Sequence, residues 1–292
     1  MLDVHELVAA RADRPDAIAV AAAARRRPTG WRGEHGRMMI IAADHPARGA
    51  LRAGPDPLAM GNRADLLRRI CTALERPGVN GVLGTPDILE DLLLLGALDD
   101  KVVIGSMNRG GLAGTSFEID DRFTAYNGDS LAAAGFEGGK MLLRIDPDDA
   151  GTVTTLESCG RAVGDLAAHK LMAMVEPFIS HRVDGRVRNE LSAEAMIRAM
   201  AVAAGLGSSS AHTWLKLPVV TDGIEGMERV LAASTLPAVL LGGEVADPDV
   251  AFASWSKALA LPTVVGLVIG RSLLFPPNDD VAGSVDAAVS LL

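Results

Sequence analysis

Short, nearly uninterrupted apolar runs alternate with segments in which apolar residues recur at three- and four-residue spacing along almost the whole chain. Eight runs read as buried strands: MMIIAADH (38–45), GVLGTP (81–86), KVVIGSMN (101–108), GKMLLRID (139–146), AMVEPFI (173–179), TWLKLPVV (213–220), PAVLLGGE (237–244) and VVGLVIGR (264–271). Helical spacing fills the gaps, for example at 63–75, 155–172, 192–205 and 249–260, where Ser192 is a partial N-cap and Asp249 an N-cap candidate. Strand-then-helix units repeated eight times predict an α/β fold of the (β/α)8 TIM-barrel type over 38–292, preceded by an N-terminal helical extension, 1–37, that covers the barrel's bottom. A doubly wound dinucleotide fold would need a Gly-rich turn straight after the first strand. Here that strand runs into DHPARGALRAG, and the nearest match, GLGSSS at 205–210, precedes a strand.

Alternate residues of a barrel strand face the interior and the helical ring. On the sixth strand Leu215, Leu217 and Val219 form an outward apolar face, which turns Trp214, Lys216 and Pro218 inward. On the fourth, Met141, Leu143 and Ile145 face outward and Lys140, Leu142, Arg144 and Asp146 inward. The same parity turns Asp44 and Glu176 inward. Six ionisable groups thus share an interior that barrels normally fill with branched apolar side chains. One account is an inert network pairing Lys140 with Asp146 and Lys216 with Glu176; the other is an active site at the C-terminal mouth.

Residue usage favours the second account. The chain has 23 Arg but only five Lys, at 101, 140, 170, 216 and 257, and two of the five point inward. Arg serves a structural ion pair better, whereas Lys can lose its proton and act as a nucleophile. An ordinary Lys is neutral in only about one molecule in 2,500 at pH 7, and bringing its pKa to about 7 takes roughly 4.6 kcal/mol, which burial and a nearby cation can supply. Lys140 or Arg144 would be that cation, and Glu176 or Asp44 the acid/base group for a substrate hydroxyl. LLGGE and LVIGRSLL follow the last two strands, a recurrent phosphate position in barrels, and nominate Gly242, Gly243, Gly270 and Arg271.

Composition narrows the ligand. With 28 basic against 37 acidic residues and a formal charge of −9, the long-range field disfavours nucleic acid and anionic membranes, and the three Trp are too dispersed for a base-stacking platform. No apolar run reaches membrane-spanning length. The N-terminal stretch, interrupted by Asp3, Glu6, Asp13 and Asp16, is not a secretory leader, and RRR at 25–27 reads as a solvated helix end. Two cysteines, Cys71 and Cys159, read as core fillers in a reducing compartment, so the expected location is cytoplasmic. The six His are scattered, with only His45 and His212 bordering strand ends, so neither a metal nor an organic cofactor is expected. The sequence leaves the oligomeric state open and allows a homo-oligomer.

GKMLLRIDPDD, MVEPF, WLKLPVV, LLGGE and GLVIGRSLL, in that order, resemble the class I, Schiff-base-forming barrel aldolases of the tagatose-1,6-bisphosphate aldolase type. The resemblance implies that Lys216 forms the imine, with Lys140 as auxiliary lysine, Glu176 as strand-five carboxylate and Asp44 as first-strand acid. AADHPARG, GVLGTPDILEDLLLLGALDDKVVIGSMNRGGLAG and TWLKLPVV are similar to a bacterial aldolase-like group associated with myo-inositol breakdown. That likeness implies cleavage of 6-phospho-5-dehydro-2-deoxy-gluconate to dihydroxyacetone phosphate and malonate semialdehyde. Arg144 departs from the tagatose-type pattern, which carries an aromatic there. A guanidinium suits a carboxylate-ended substrate, with Arg109 and Arg48 as further candidates beside Arg144 and Asp146. The rival readings are a metal-dependent aldolase, an aldolase for another ketose phosphate, and a non-catalytic sugar-phosphate-binding barrel.

Overall fold

A computed structural model of the chain describes residues 4–33, 36–243 and 248–292. Eight parallel strands close on themselves: β1 (Met38–Ala43), β2 (Gly81–Gly84), β3 (Val102–Ser106), β4 (Gly138–Ile145), β5 (Met172–Val183), β7 (Thr213–Leu217), β8 (Ala238–Leu241) and β9 (Val264–Ile269). Pairing of β1 with β9 and of β4 with β5 completes the ring, which is the expected (β/α)8 barrel. A short strand, β6 (Arg186–Asn189), lies outside the ring and returns antiparallel along the end of β5.

The period-two pattern sorts the apolar residues into two cores. Met38, Ile40, Ala42, Ile104, Met174 and Val239 pack inside the barrel with Trp214. Met39, Ile41, Ala43, Met141, Leu215 and Leu217 face the surrounding helices. The helices follow from amphipathic spacing and local caps. In α3 (Arg63–Leu74) the Asn62 side chain accepts from Asp65 N–H and one face buries Leu66, Leu67, Ile70 and Leu74. In α7 (Ala193–Ala204) Ser192 does cap, accepting from Ala195 N–H.

Several boundaries differ from the sequence reading. The first strand stops at Ala43, because Pro46 and the glycine at 49 favour a 3-10 turn, His45–Arg48, over further strand. The helix expected at 155–172 is α6 (Gly151–Ala168), started by the Asp149 side chain on Gly151 N–H and ended before Lys170, whose φ is +58°. Asp249 is not a cap: α9 (Pro248–Leu259) already begins one residue earlier. Glu244 of the expected strand 237–244 falls outside the described residues, as do Asp3 and His35 of the N-terminal region.

Before the barrel, α1 (Val4–Asp13) and α2 (Ala17–Ala24) lead to Arg25, which is no solvated helix end. It is buried, donating to the Lys101 carbonyl at 2.8 Å and to Glu137 at 2.9 Å, both just ahead of strands β3 and β4. Only Arg26 and Arg27 of that triplet are exposed. Trp31 packs against Trp214, ring centroids 6.1 Å apart, at the same end of the barrel. Removing one partner of a buried ion pair strands the other, so Arg25→Met is expected to cost about 3–5 kcal/mol in urea unfolding. A loss under about 1 kcal/mol would mean that Arg27, 3.2 Å from Glu137, suffices as the partner.

Candidate active site

Three strands and one strand end bring four charges together. In the β4–β5 ladder Lys140 lies opposite Met174 and Leu142 opposite Glu176, while Leu215 pairs with Val175 and so sets Lys216 alongside Glu176. Glu176 Oε2 is 2.9 Å from Lys216 Nζ and 2.7 Å from Lys140 Nζ, and Lys140 Nζ also donates to Asp44 Oδ2 at 2.8 Å. All four side chains are at most 10% exposed. The alternative pairing of Lys140 with Asp146 is not what forms.

The electrostatics are asymmetric. Burial disfavours the charge on Lys140, yet Asp44 and Glu176 together raise its pKa above the ordinary lysine value. Lys216 goes the other way: burial, helped by Lys140, lowers it against the pull of Glu176 and Asp44. Burial opposes both carboxylates as well, but Lys140 and Lys216 hold Glu176 down at about 2, and Lys140, His45 and Lys216 hold Asp44 far below its usual range. The two carboxylates and Lys140 are held in their ionised forms, and Lys216 is the one of the four whose charged form its surroundings disfavour.

Lys216 and Glu176 open onto a cavity of about 250 Å³ at the C-terminal end of the strands. Gly242, Gly243, Gly270, Arg271 and Arg48 share its wall, so most of the residues expected to bind substrate do converge. Gly243 has φ +64°, a left-handed turn that glycine adopts without strain, and a Cβ on Gly270 would stand 2.4 Å from the Ala42 carbonyl oxygen. Arg271 donates to the Arg52 carbonyl at 3.2 Å. A larger cleft of about 500 Å³ shares Gly243 and Arg271, but neither lysine nor carboxylate lines its described wall.

Three expected residues are placed elsewhere. Arg144 is buried and bonded to Glu118, which the loop between β3 and α5 (Gly128–Ala133) folds onto it, so its guanidinium does not line the cavity. Arg109 is directed across the surface to the Ala47 carbonyl, 2.9 Å away. Asp146 is buried in a turn, accepting from Asp148 N–H at 3.1 Å. The cavity also has members that strand parity does not nominate. His45 lines it beside Gly270; burial, with Arg271 and the two lysines against Asp44, lowers its pKa to about 3, leaving the ring neutral. Asn189 arrives on β6, its side-chain oxygen accepting from Ser180 at 3.0 Å. Its only sequence signal is the Asp184-Gly185 dipeptide of the hairpin turn. Among the described residues no group of three His, Cys, Asp or Glu is arranged to hold a metal ion.

A family model described as Cgl0159-like matches residues 36–289. The crystal structure of Cgl0159 from Corynebacterium glutamicum is 52% identical, with a TM-score of 0.95 over 99% of this chain and 96% of that one. More distant is an archaeal fructose-1,6-bisphosphate aldolase whose catalytic Lys is covalently bound to the carbinolamine intermediate of its substrate: 18% identity, TM-score 0.65, 89% and 96% covered. A fructose-bisphosphate aldolase from Slackia heliotrinireducens gives 15% identity, TM-score 0.64, 88% and 85% covered. At these identities the aldolases share the fold with this chain. No curated protein matches it significantly.

The depressed carboxylates make a pH prediction. A folded pKa below the unfolded value contributes stability that is complete above the unfolded pKa and is lost as pH falls through the folded one. For Glu176 that window runs from 4.5 down to about 2. The unfolding free energy from denaturant titrations is therefore expected to fall across this range, with a slope of up to about 1.4 kcal/mol per pH unit per proton, and less steeply in Glu176→Gln. Equal slopes in the two proteins would place the acid-sensitive group elsewhere.

Proposed function

Because the chain belongs to the Cgl0159-like family and has, in the wall of its barrel cavity, a buried lysine whose pKa is lowered by that burial, we propose that it is a class I aldolase acting through an imine on Lys216. The observation that carries this reading is the position of Lys216 Nζ: at the barrel mouth, on the cavity wall, within hydrogen-bond reach of one carboxylate and beside a second ammonium. The distant aldolase with a covalently bound lysine adds support from the same fold.

In this mechanism neutral Lys216 attacks a substrate ketone, and the carbinolamine loses water to give a protonated imine. The imine nitrogen then accepts the electron pair of the breaking carbon–carbon bond. Glu176 acts as the acid/base group, because it bonds to Lys216 and lies on the cavity wall with it, whereas Asp44 is not on that wall. Glu176 is held in its proton-accepting form, and its basicity rises whenever Lys216 is neutral and one of its two cations is lost. Lys140 keeps the carboxylates ionised and disfavours charge on Lys216. Gly242, Gly243, Gly270 and Arg271 bind the phosphate through backbone N–H groups and one guanidinium.

The substrate we favour is a phosphorylated keto sugar acid, 6-phospho-5-dehydro-2-deoxy-gluconate, cleaved to dihydroxyacetone phosphate and malonate semialdehyde. This follows the myo-inositol-related resemblance in the sequence and the presence of a second guanidinium, Arg48, on the cavity wall. Arg48 replaces Arg144 and Arg109 as the carboxylate ligand, because those two do not reach the cavity. The proposed enzyme is cytoplasmic, uses no metal or organic cofactor, and takes residues 38–292 as its catalytic unit.

Incubation with dihydroxyacetone phosphate and borohydride is expected to leave an irreversible mass adduct on Lys216. Lys216→Met should fold yet form no adduct and lose cleavage activity. Reversible binding without an adduct in the wild-type protein would favour the non-catalytic sugar-phosphate binder instead. Faster cleavage of fructose 1,6-bisphosphate than of the keto sugar acid would overturn the substrate assignment while leaving the imine intact.

A further inference from the structure

We infer that the loop between β3 and α5, residues 107–127, is a clamp that holds Arg48 in place as the anchor for a substrate carboxylate, with Glu118 as the positioning residue. The inference takes its ligand class from the aldolase reading and adds the device that selects an acid-ended aldehyde.

One loop grips the 3-10 turn that carries Arg48 in three ways. Arg109 donates to the Ala47 carbonyl at 2.9 Å, Ala113 N–H donates to the Arg48 carbonyl at 2.9 Å, and Glu118 Oε1 stands 3.4 Å from Arg48 Nη2. Glu118 is itself immobilised. It is 4% exposed, Oε1 accepts from Arg144 and Oε2 accepts from Gly114 N–H at 2.9 Å. Gly111 lies against the Glu118 backbone, where an added Cβ would meet the carbonyl oxygen at 2.3 Å.

Donor accounting separates the two guanidiniums. Arg144 has the close bond to Glu118, lies near Asp121 and has no place on the cavity wall. Nε is buried without a hydrogen-bond partner in both arginines, but among the described residues the Arg48 guanidinium has just the long contact to Glu118, and Arg48 does line the cavity with Lys216 and Glu176. The Arg48 side chain keeps 21% of its surface exposed and engages Glu118 weakly, so its terminal N–H groups are open to the oxygens of a carboxylate. Burial and Arg144 lower the Arg48 pKa to about 10, still charged at neutral pH, so an anion arriving there is met by a partly desolvated cation. Arg109 thereby acquires a role other than substrate contact: it fixes the turn from outside.

The test compares 3-hydroxypropanoate with its neutral isostere 3-hydroxypropanamide by calorimetric titration of the full chain, with Lys216 adduct formation followed separately. Loss of a charge-assisted pair corresponds to about 10- to 100-fold, so wild type should prefer the acid by that factor and Arg48→Gln should abolish the preference. Glu118→Gln and Glu118→Asp, the latter charged but too short for all its contacts, should both cut the preference at least several-fold. In turnover they should raise KM for malonate semialdehyde more than they change kcat. Arg109→Ala, a surface change that keeps the buried pair intact, should weaken the preference in the same direction. Wild type without a preference, a preference surviving Arg48→Gln, or one unaltered by both Glu118 variants and Arg109→Ala would overturn the clamp. An adduct on Lys216 without acid preference leaves the aldolase reading standing alone. Acid preference that tracks these variants without any adduct leaves the clamp standing and removes the aldolase.

Discussion

A single oxygen, Glu176 Oε2, holds two amine groups at 2.7 and 2.9 Å in the interior of a closed barrel, and the electrostatics of that interior rest on how unequally the two are compensated. Lys140 touches two carboxylates, whereas Lys216 touches one that it must share. In a desolvated site a charge survives only where partners offset its lost hydration. Lys140 meets that condition and Lys216 falls short of it, so the proton is most easily lost from the amine that faces the cavity. Strand register creates this inequality, because it sets Glu176 between β4 and β7 while Asp44 reaches Lys140 from the end of β1.

Rigid strands hold the four charges, and the connections beyond the strand ends shape what can approach them. The turn His45–Arg48, which follows β1 with Asp44 between them, turns Arg48 to the cavity. The long β3–α5 connection grips that turn, and the β5–β6 hairpin contributes Asn189 to the wall. Arg182 ties the hairpin to the same long loop, donating to the Ser116 carbonyl at 2.7 Å, and to Asp149 at 3.0 Å. Loops built on a rigid scaffold are where barrels vary their ligands while keeping the reaction centre.

Much of the architecture can be read one residue at a time. Alternation of Leu215, Lys216 and Leu217 distinguishes outside from inside without any knowledge of neighbouring strands, and the two separate apolar cores follow the same parity. Arg144 shows where that method fails. Its inward parity is real, yet Glu118, 26 residues earlier in an irregular loop, captures it, and no periodic signal marks a loop carboxylate as its partner. Arg25 fails in the opposite sense. In the triplet RRR it resembles its solvated neighbours, and the approach of Glu137, 112 residues away, and of the Lys101 carbonyl makes it a buried structural cation.

The barrel, its eight strands, and the inward faces that carry Lys140, Glu176, Lys216 and Asp44 are all legible in the chain's own pattern, because side-chain direction in a strand is a local property repeated every second residue. Which amine has the weaker hold on its proton, which arginine reaches the cavity, and how a turn and a hairpin complete the wall emerge only once the chain is folded. Those outcomes depend on distances between residues far apart in the chain, where a few tenths of an ångström and the loss of water set the energy, and no pattern along the chain encodes them.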